Sequence, residues 1–233
     1  MEDGSNNPQS GEGSNSSQAE SSTQQEASTG SGMMDNSSSA KQGDNYRIRY
    51  LTYVGLIAAL HAVATLMVLQ FMSVFAWGPI QFRISEALTV LPLFFAEAIP
   101  GLTIGTFLSN LINVSLTGSG ALGMLDVVFG TLATLIGAIW TYRLRKRNIL
   151  LALSGPVIVN ALIVPAYLPI IMSALGFLEF YNIPLLNISA AGSFIFMYIF
   201  GLVAVGFGQA VVIYGLGLPL VRALKRIRTT QHT

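Results

Sequence analysis

The sequence predicts an all-α, polytopic membrane protein: a bundle of about six transmembrane helices with both termini cytoplasmic. Three observations predict it. Of 233 residues, 52% are hydrophobic and 10% charged, with a mean hydropathy of +0.59, whereas soluble domains run at roughly 25% charged. The apolar residues gather into six runs, near 51–74, 84–99, 101–116, 121–142, 149–176 and 191–221, and about 20 apolar residues make one helical crossing. The basic residues outside these runs form three clusters: Arg47 and Arg49; Arg143, Arg145, Lys146 and Arg147; and Arg222, Lys225, Arg226 and Arg228. The positive-inside rule wants all three on the cytoplasmic side of the cell membrane, which four crossings and then two supply.

Taken in order, residues 1–45 are nearly all Ser, Gly, Asn, Gln and Glu, with seven acidic residues against Lys41. Such a segment has too little apolar surface to bury and is expected to be disordered. It precedes a transmembrane domain at 46–228 and a short polar tail at 229–233. The net charge of +1 is a cancellation between the acidic tail and the basic membrane domain. The first apolar run opens only at Leu51, after that tail, and reads as a retained span rather than a cleaved signal. In it Gly55 and Ala59, and Ala58 and Ala62, make overlapping small-x-x-x-small pairs. Such faces let helices approach closely, either within the bundle or against a separate membrane subunit. His61 is the one histidine of the membrane domain, and alone it makes neither a metal site nor a proton relay.

The second run begins with Arg83 and Glu86, three residues apart at the outer mouth of its helix. They form an interfacial ion pair with Arg83 snorkelling, or they line a polar cavity and meet a ligand. Glu97 lies eleven residues beyond Glu86, back near the same face of a continuous helix, or else it only prepares the helix start around Pro100. The second and third runs are short for full crossings, so a re-entrant pair hinged at Pro100-Gly101 is the alternative to two spans. In the third run Thr103, Thr106, Asn110, Asn113 and Thr117 are spaced 3, 4, 3 and 4, one stripe that faces other helices or a solute.

Asp126 opens the fourth run, where the helix dipole favours it without any ligand, and Gly123, Gly130 and Gly137 recur every seven residues as a packing face. The fifth run carries Asn160 as its lone amide, and Pro156, Pro165 and Pro169 predict kinks or a broken outer half. Glu179, Tyr181, Asn182 and Asn187 fall in the outer loop, and Gln209 is the amide of the sixth run. With no cysteine, disulfides and thiolate metal sites are excluded, and no metal or cofactor is expected. Neither a Walker A loop nor a nucleophile-and-base motif occurs, so no catalytic residue is assigned and the chain is not read as an enzyme.

The strings "IQFRISEALTVLP" at 80–92, "EAIPGLTIG" at 97–105, "LDVVFGTLATL" at 125–135, "NALIV" at 160–164 and "GLGLPL" at 215–220, in that order, closely resemble the QueT family. The resemblance covers roughly residues 50 to 221. It implies a substrate-binding S-component of an energy-coupling factor (ECF) importer, working with a transmembrane T-component and two cytoplasmic ATPase subunits that supply the missing nucleotide site. The implied solute is a queuosine precursor, a 7-deazapurine such as preQ1, and no nucleic acid is involved.

The resemblance further implies docking of the T-component on an Ala-x-x-x-Ala face, matched by Ala58 and Ala62. It implies an outward-facing solute site in which Glu86, or Glu179 from the outer loop, serves the guanine-like N–H edge or the aminomethyl cation. Gln81 and Arg83 would position the loop, Asn110, Asn113, Asn160 and Gln209 would add amides, and Tyr181 stands beside Glu179. The family commonly carries glutamate where this chain has Gln209. The rival reading from the residues alone is a stand-alone secondary transporter coupling protons through Glu86, Glu97 or Asp126.

Overall fold

The computed structural model describes residue 42 and residues 44–69, 83–118, 120–174, 182–183, 188–189 and 193–230. The acidic tail expected to be disordered lies outside them, apart from its last few residues, as do Gln81, Glu179 and Tyr181. By its contacts the chain divides at Arg49, and Tyr50–Thr233 forms the compact unit that holds the bundle.

Among the described residues six helices build it. Five are long and apolar enough to cross a membrane: α1 (Asp44–Leu69), α3 (Ala98–Thr117), α4 (Gly120–Leu144), α5 (Ile149–Ala174) and α6 (Phe194–Ile227). The sixth, α2 (Ile84–Leu93), is a ten-residue 3-10 helix. Between α5 and α6, β1 (Asn182–Ile183) and β2 (Ile188–Ser189) make a two-residue antiparallel pair. The chain is thus a multi-pass membrane protein, and each apolar run except the second overlaps one of these long helices, the first and last helices extending beyond their runs at Asp44 and Ile227.

That second run departs from expectation. Pro92 lacks the N–H that an α-helix would direct to Leu88, and the Thr89 hydroxyl donates to the Glu86 carbonyl at 2.6 Å. Both favour the tighter three-residue spacing. The run ends at Leu93, and Phe94–Glu97 turn before α3 begins at Ala98. Glu86 and Glu97 therefore share no continuous helix. The turn also falls before Pro100 rather than at it, because Pro100 sits in the first turn of α3, where a missing N–H costs nothing.

α2 is held inside the bundle by neighbours on several sides. Ile57 of α1 packs with Leu91 of α2, Ala98 and Leu102 of α3 and Ala138 of α4. Val90 packs with Leu153 of α5 and Ile213 and Val221 of α6. A Cβ at Gly217 would stand 2.7 Å from Val90, so α6 reaches α2 only through a glycine. α1 also approaches α3 closely, through two glycines of α3. A Cβ at Gly105 would lie 2.7 Å from the Ala58 carbonyl oxygen, and one at Gly101 would lie 2.9 Å from Ile57.

α5 stays continuous through Pro156, Pro165 and Pro169, so the expected break in its outer half is not found. Its neighbours meet the prolines directly. The Thr141 hydroxyl donates at 3.1 Å to the Ala152 carbonyl, the acceptor that Pro156 leaves without its helical donor. Gly137 gives Pro156 room, as Gly201 does for Pro165. The packing role expected for Gly137 is what the structure has.

The ends of the bundle are chemically distinct. Tyr53 stacks on Phe95, Trp140 donates to the Leu151 carbonyl, and Leu224 packs against the α1, α2, α3 and α4 cluster. These contacts gather the 94–97 turn, the basic 145–148 turn and the basic C-terminal part of α6 at one end. The start of α2, the Gly118–Gly120 turn and the end of α5 lie at the other. Gly118 and Gly120 take left-handed backbone angles, φ 64° and 59°, which lets α3 stop and α4 start within three residues.

Candidate solute site

In the half of the bundle away from the basic end, polar side chains from all six helices turn inward. Arg83 precedes α2 in an extended conformation, φ −85° and ψ 97°, so its side chain does not ride on the α2 face with Glu86. It reaches α4 instead, placing Nη2 3.5 Å from Asp126 Oδ2. Tyr167 of α5 donates to Asp126 Oδ1 at 2.7 Å, and Asn110 of α3 donates through Nδ2 to the Asp126 backbone carbonyl at 2.9 Å. One aspartate thus ties α2, α3 and α5 to α4.

Local helix geometry exposes that aspartate. Asp126–Gly130 is a π turn within α4, and π turns recur at functional sites because the extra residue bulges from the helix. Gly130, at its close, lets the polar atoms approach the helix backbone. A Cβ there would lie 2.9 Å from Asn110 Nδ2, 3.0 Å from Asp126 Oδ1 and 3.5 Å from the Tyr167 hydroxyl. Gly130 therefore belongs to this cluster as well as to the packing face its heptad spacing suggested. A second π turn, Ile213–Gly217, follows Gln209 in α6.

Glu86 is 2% exposed. Its Oε2 has no partner among the described residues. The same holds for both His61 ring nitrogens, Arg83 Nε, Asn110 Oδ1, Asn160 Nδ2, Gln209 Oε1 and the Thr131 hydroxyl. Buried polar atoms are nearly always bonded, and an unpaired one costs about 1–3 kcal/mol. The Thr65 and Ser85 hydroxyls, 2.8 Å apart, join α1 to α2 beside them, and Thr106 and Thr134 join α3 to α4 at 3.2 Å.

Asp126, Asn110 and Tyr167 each lie about 10 Å along their helices from the end opposite the basic turns, at 1.5 Å per residue. The cluster is inside the bundle, about two helical turns from that end. Among the described residues no group of three His, Asp or Glu side chains is placed to hold a metal ion.

Of the residues singled out from sequence, Arg83 and Asn110 bond to Asp126, Glu86, Asn160 and Gln209 are buried with an unpartnered polar atom each, and Asn113 is buried one turn nearer the end on the same α3 face. Gln81, Glu179 and Tyr181 lie outside the described residues. The Arg83–Glu86 ion pair is corrected: the partner of Arg83 is Asp126. Asp126, which the sequence reading explains by the helix dipole alone, is bonded by Arg83, Asn110 and Tyr167. Sequence reasoning misses Tyr167 and His61 as site residues, although Asn160 and Tyr167, seven residues apart, share one face of α5. On α1, Ala58 and Ala62 are buried and Gly55 and Ala59 exposed, with the Ala58 backbone against Gly105 of α3.

Residues 51–226 match the family model described as QueT transporter. The chain is also similar to a protein of Lactococcus lactis subsp. cremoris (strain MG1363) named queuosine precursor transporter QueT, at 32% identity over 83 residues, which is 36% of this chain and 43% of that protein. The match therefore spans less than half the relative's length. No solved structure matches.

Proposed function

Starting from the fact that this chain belongs to the QueT transporter family, we propose that it captures a queuosine precursor, a 7-deazapurine such as preQ1, in the polar interior of its bundle. The observation that carries this reading is Glu86, a buried carboxylate with one oxygen unpartnered, inside a membrane protein. Ionisable groups at such depth mark solute pathways by default. A guanine-like edge presents N–H donors, and a carboxylate oxygen and amide oxygens are their complements. Asn110, Asn160 and Gln209 supply the amides, and Tyr167 supplies aromatic surface for the ring.

Calorimetry on the purified chain tests this. Glu86→Ala is expected to weaken binding of 7-aminomethyl-7-deazaguanine by more than about tenfold, roughly 1.4 kcal/mol, while the protein remains monodisperse. Unchanged affinity would return Glu86 to a structural role.

The chain acts, on this reading, as the substrate-binding subunit of an ECF importer in the cell membrane, with a T-component and two ATPases as partners and both termini cytoplasmic. The gathering of the 145–148 turn and the end of α6 at one end of the bundle supports that orientation. With Ala58 and Ala62 buried, Gly55 and Ala59 form the small-residue face of α1 left for a partner. The rival, a self-sufficient ion-coupled transporter, draws support from the buried Glu86 and Asp126. Proteoliposomes holding the chain alone separate the two: under an imposed pH gradient no precursor should accumulate, and accumulation would establish the rival.

A further inference from the structure

The last part of α6 departs from the course of a simple transmembrane helix. The π turn Ile213–Gly217 and Pro219, which withholds an N–H from the helix, are both features at which helices change direction. The Tyr214 hydroxyl donates at 3.1 Å to the Leu150 carbonyl, at the start of α5. Ten residues on, about 15 Å along a helix, Leu224 still packs against the cluster of Ile57, Ala98 and Ala138, and Ala138 lies six residues before the end of α4. The terminal part of α6 therefore runs across the basic end of the bundle, not away from it.

That segment has three faces. Val221 is 2% exposed and turns with Leu224 into the bundle. Arg222 and Arg226, four residues apart and so on one face, are exposed, with Lys225 beside them. Ala223 and Ile227, also four apart, are exposed on a third face, Ile227 by 58%. The charged face wants an anion and the apolar face wants hydrocarbon. The headgroup layer of a bilayer offers both, whereas an acidic soluble surface answers only the first. The neighbouring turn has the same character: Arg143, Lys146 and Arg147 are exposed close to the exposed Leu150 and Leu151, and Trp140, an interfacial residue by type, donates to the Leu151 carbonyl. Arg145 is already held, its guanidinium 3.6 Å from the centre of the Tyr142 ring and its Nη1 donating to the Tyr142 carbonyl. Among the described residues of Tyr50–Thr230, Glu97, partly buried, is the one carboxylate at this end.

We propose that Arg222 and Arg226 hold the phosphate of an anionic phospholipid of the adjacent leaflet, so that the terminal part of α6 is a lipid-bound strip along the membrane surface. Guanidinium N–H donors match phosphate oxygens bidentately, and Ile227 sits in the acyl boundary as the apolar side of an interfacial helix does. Lys225 and the 143–147 turn raise the local positive potential without fixing the position of the phosphate. The proposal is independent of what the polar interior of the bundle binds.

Native mass spectrometry of the full chain in a neutral detergent, titrated with phosphatidylglycerol or with phosphatidylcholine of the same acyl chains, tests it. Each basic side chain near an anionic membrane surface is worth about fivefold in affinity. The unmodified chain should therefore retain the anionic lipid at least about tenfold better than the zwitterionic one, and a higher ammonium acetate concentration should erode the difference. Arg222→Gln with Arg226→Gln should cut that preference about tenfold or more, while Arg222→Lys with Arg226→Lys, which keeps both charges, should hold it within about threefold. Equal retention of the two lipids by the unmodified chain would overturn the proposal and leave this end to an acidic protein surface. A preference undiminished in the glutamine pair would overturn the assignment to Arg222 and Arg226. So would a loss in the lysine pair as large as in the glutamine pair, because damage to the helix rather than charge would then account for both.

Discussion

Asp126→Ala is expected to destabilise the protein by about 3–5 kcal/mol, the cost typical of breaking a buried ion pair from one side. The size reflects the groups that the substitution strands. Arg83 is only 13% exposed at its side chain, and without Asp126 it keeps a charge that no protein environment removes. Tyr167, only 5% exposed, loses a charge-assisted hydrogen bond of 2.7 Å. Chemical denaturation in detergent micelles measures the loss. A double replacement, Arg83→Leu with Asp126→Leu, should recover most of it, since removing both charges also removes the desolvation penalty. Were Asp126→Ala as stable as the unmodified chain, Arg83 would have to be satisfied elsewhere and the hub role of Asp126 would be lost.

The second large effect is expected at Gly105. A Cβ there meets the Ala58 carbonyl oxygen at 2.7 Å and the Ala58 Cα at 3.2 Å, and backbone atoms of a packed helix have no rotamer with which to retreat. Gly105→Leu should force α1 away from α3, costing about 3 kcal/mol or more, at or above the upper end of overpacking effects. His61, whose Cβ is 2.9 Å from the same point, would be displaced with it. Gly55→Leu is the matched control. With nothing within 4 Å of its Cβ position, it should change stability by less than about 0.5 kcal/mol. Thermal unfolding of both variants decides the matter, and a Gly105→Leu protein that melts with the parent would mean that α1 does not depend on that contact.

Five of the helices are legible in the sequence because each is a long apolar run bounded by a physical stop: Gly118 with its left-handed backbone, the basic turn after Leu144, the first-turn Pro100. α2 is not legible in the same way. Hydropathy records that residues 84–99 are apolar, but the choice between α and 3-10 spacing depends on Pro92, on the Thr89 hydroxyl and on packing from several neighbouring helices, which no local pattern encodes.

The site divides along the same line. Asn110, Asn160 and Gln209 stand out as amides in apolar surroundings, and Glu86 as a charge, so composition alone flags them. Asp126 escapes a sequence reading because proximity to a helix start offers a sufficient local explanation, whereas its partners come from residues 43 positions earlier and 41 later. Tyr167 is invisible for a different reason. A tyrosine in an apolar run is ordinary core, and only the position of its hydroxyl gives it a polar role.

The π turn in α4 ties the site to a residue count. Each residue of an α-helix rotates the remainder of that helix by about 100°, and a π turn is what one additional residue does to a helix whose two halves are already docked. Removing a single residue from Asp126–Gly130 would restore an unbroken α-helix and swing either Asp126 away from Tyr167 and Asn110, or Thr134, Gly137 and Thr141 away from α3 and α5. The same deletion in the Gly118–Gly120 turn would shift no side chain within a helix. For this protein, indels in α4 are therefore a sharper constraint than substitutions, and a single-residue deletion there tells more about the site's architecture than most point changes.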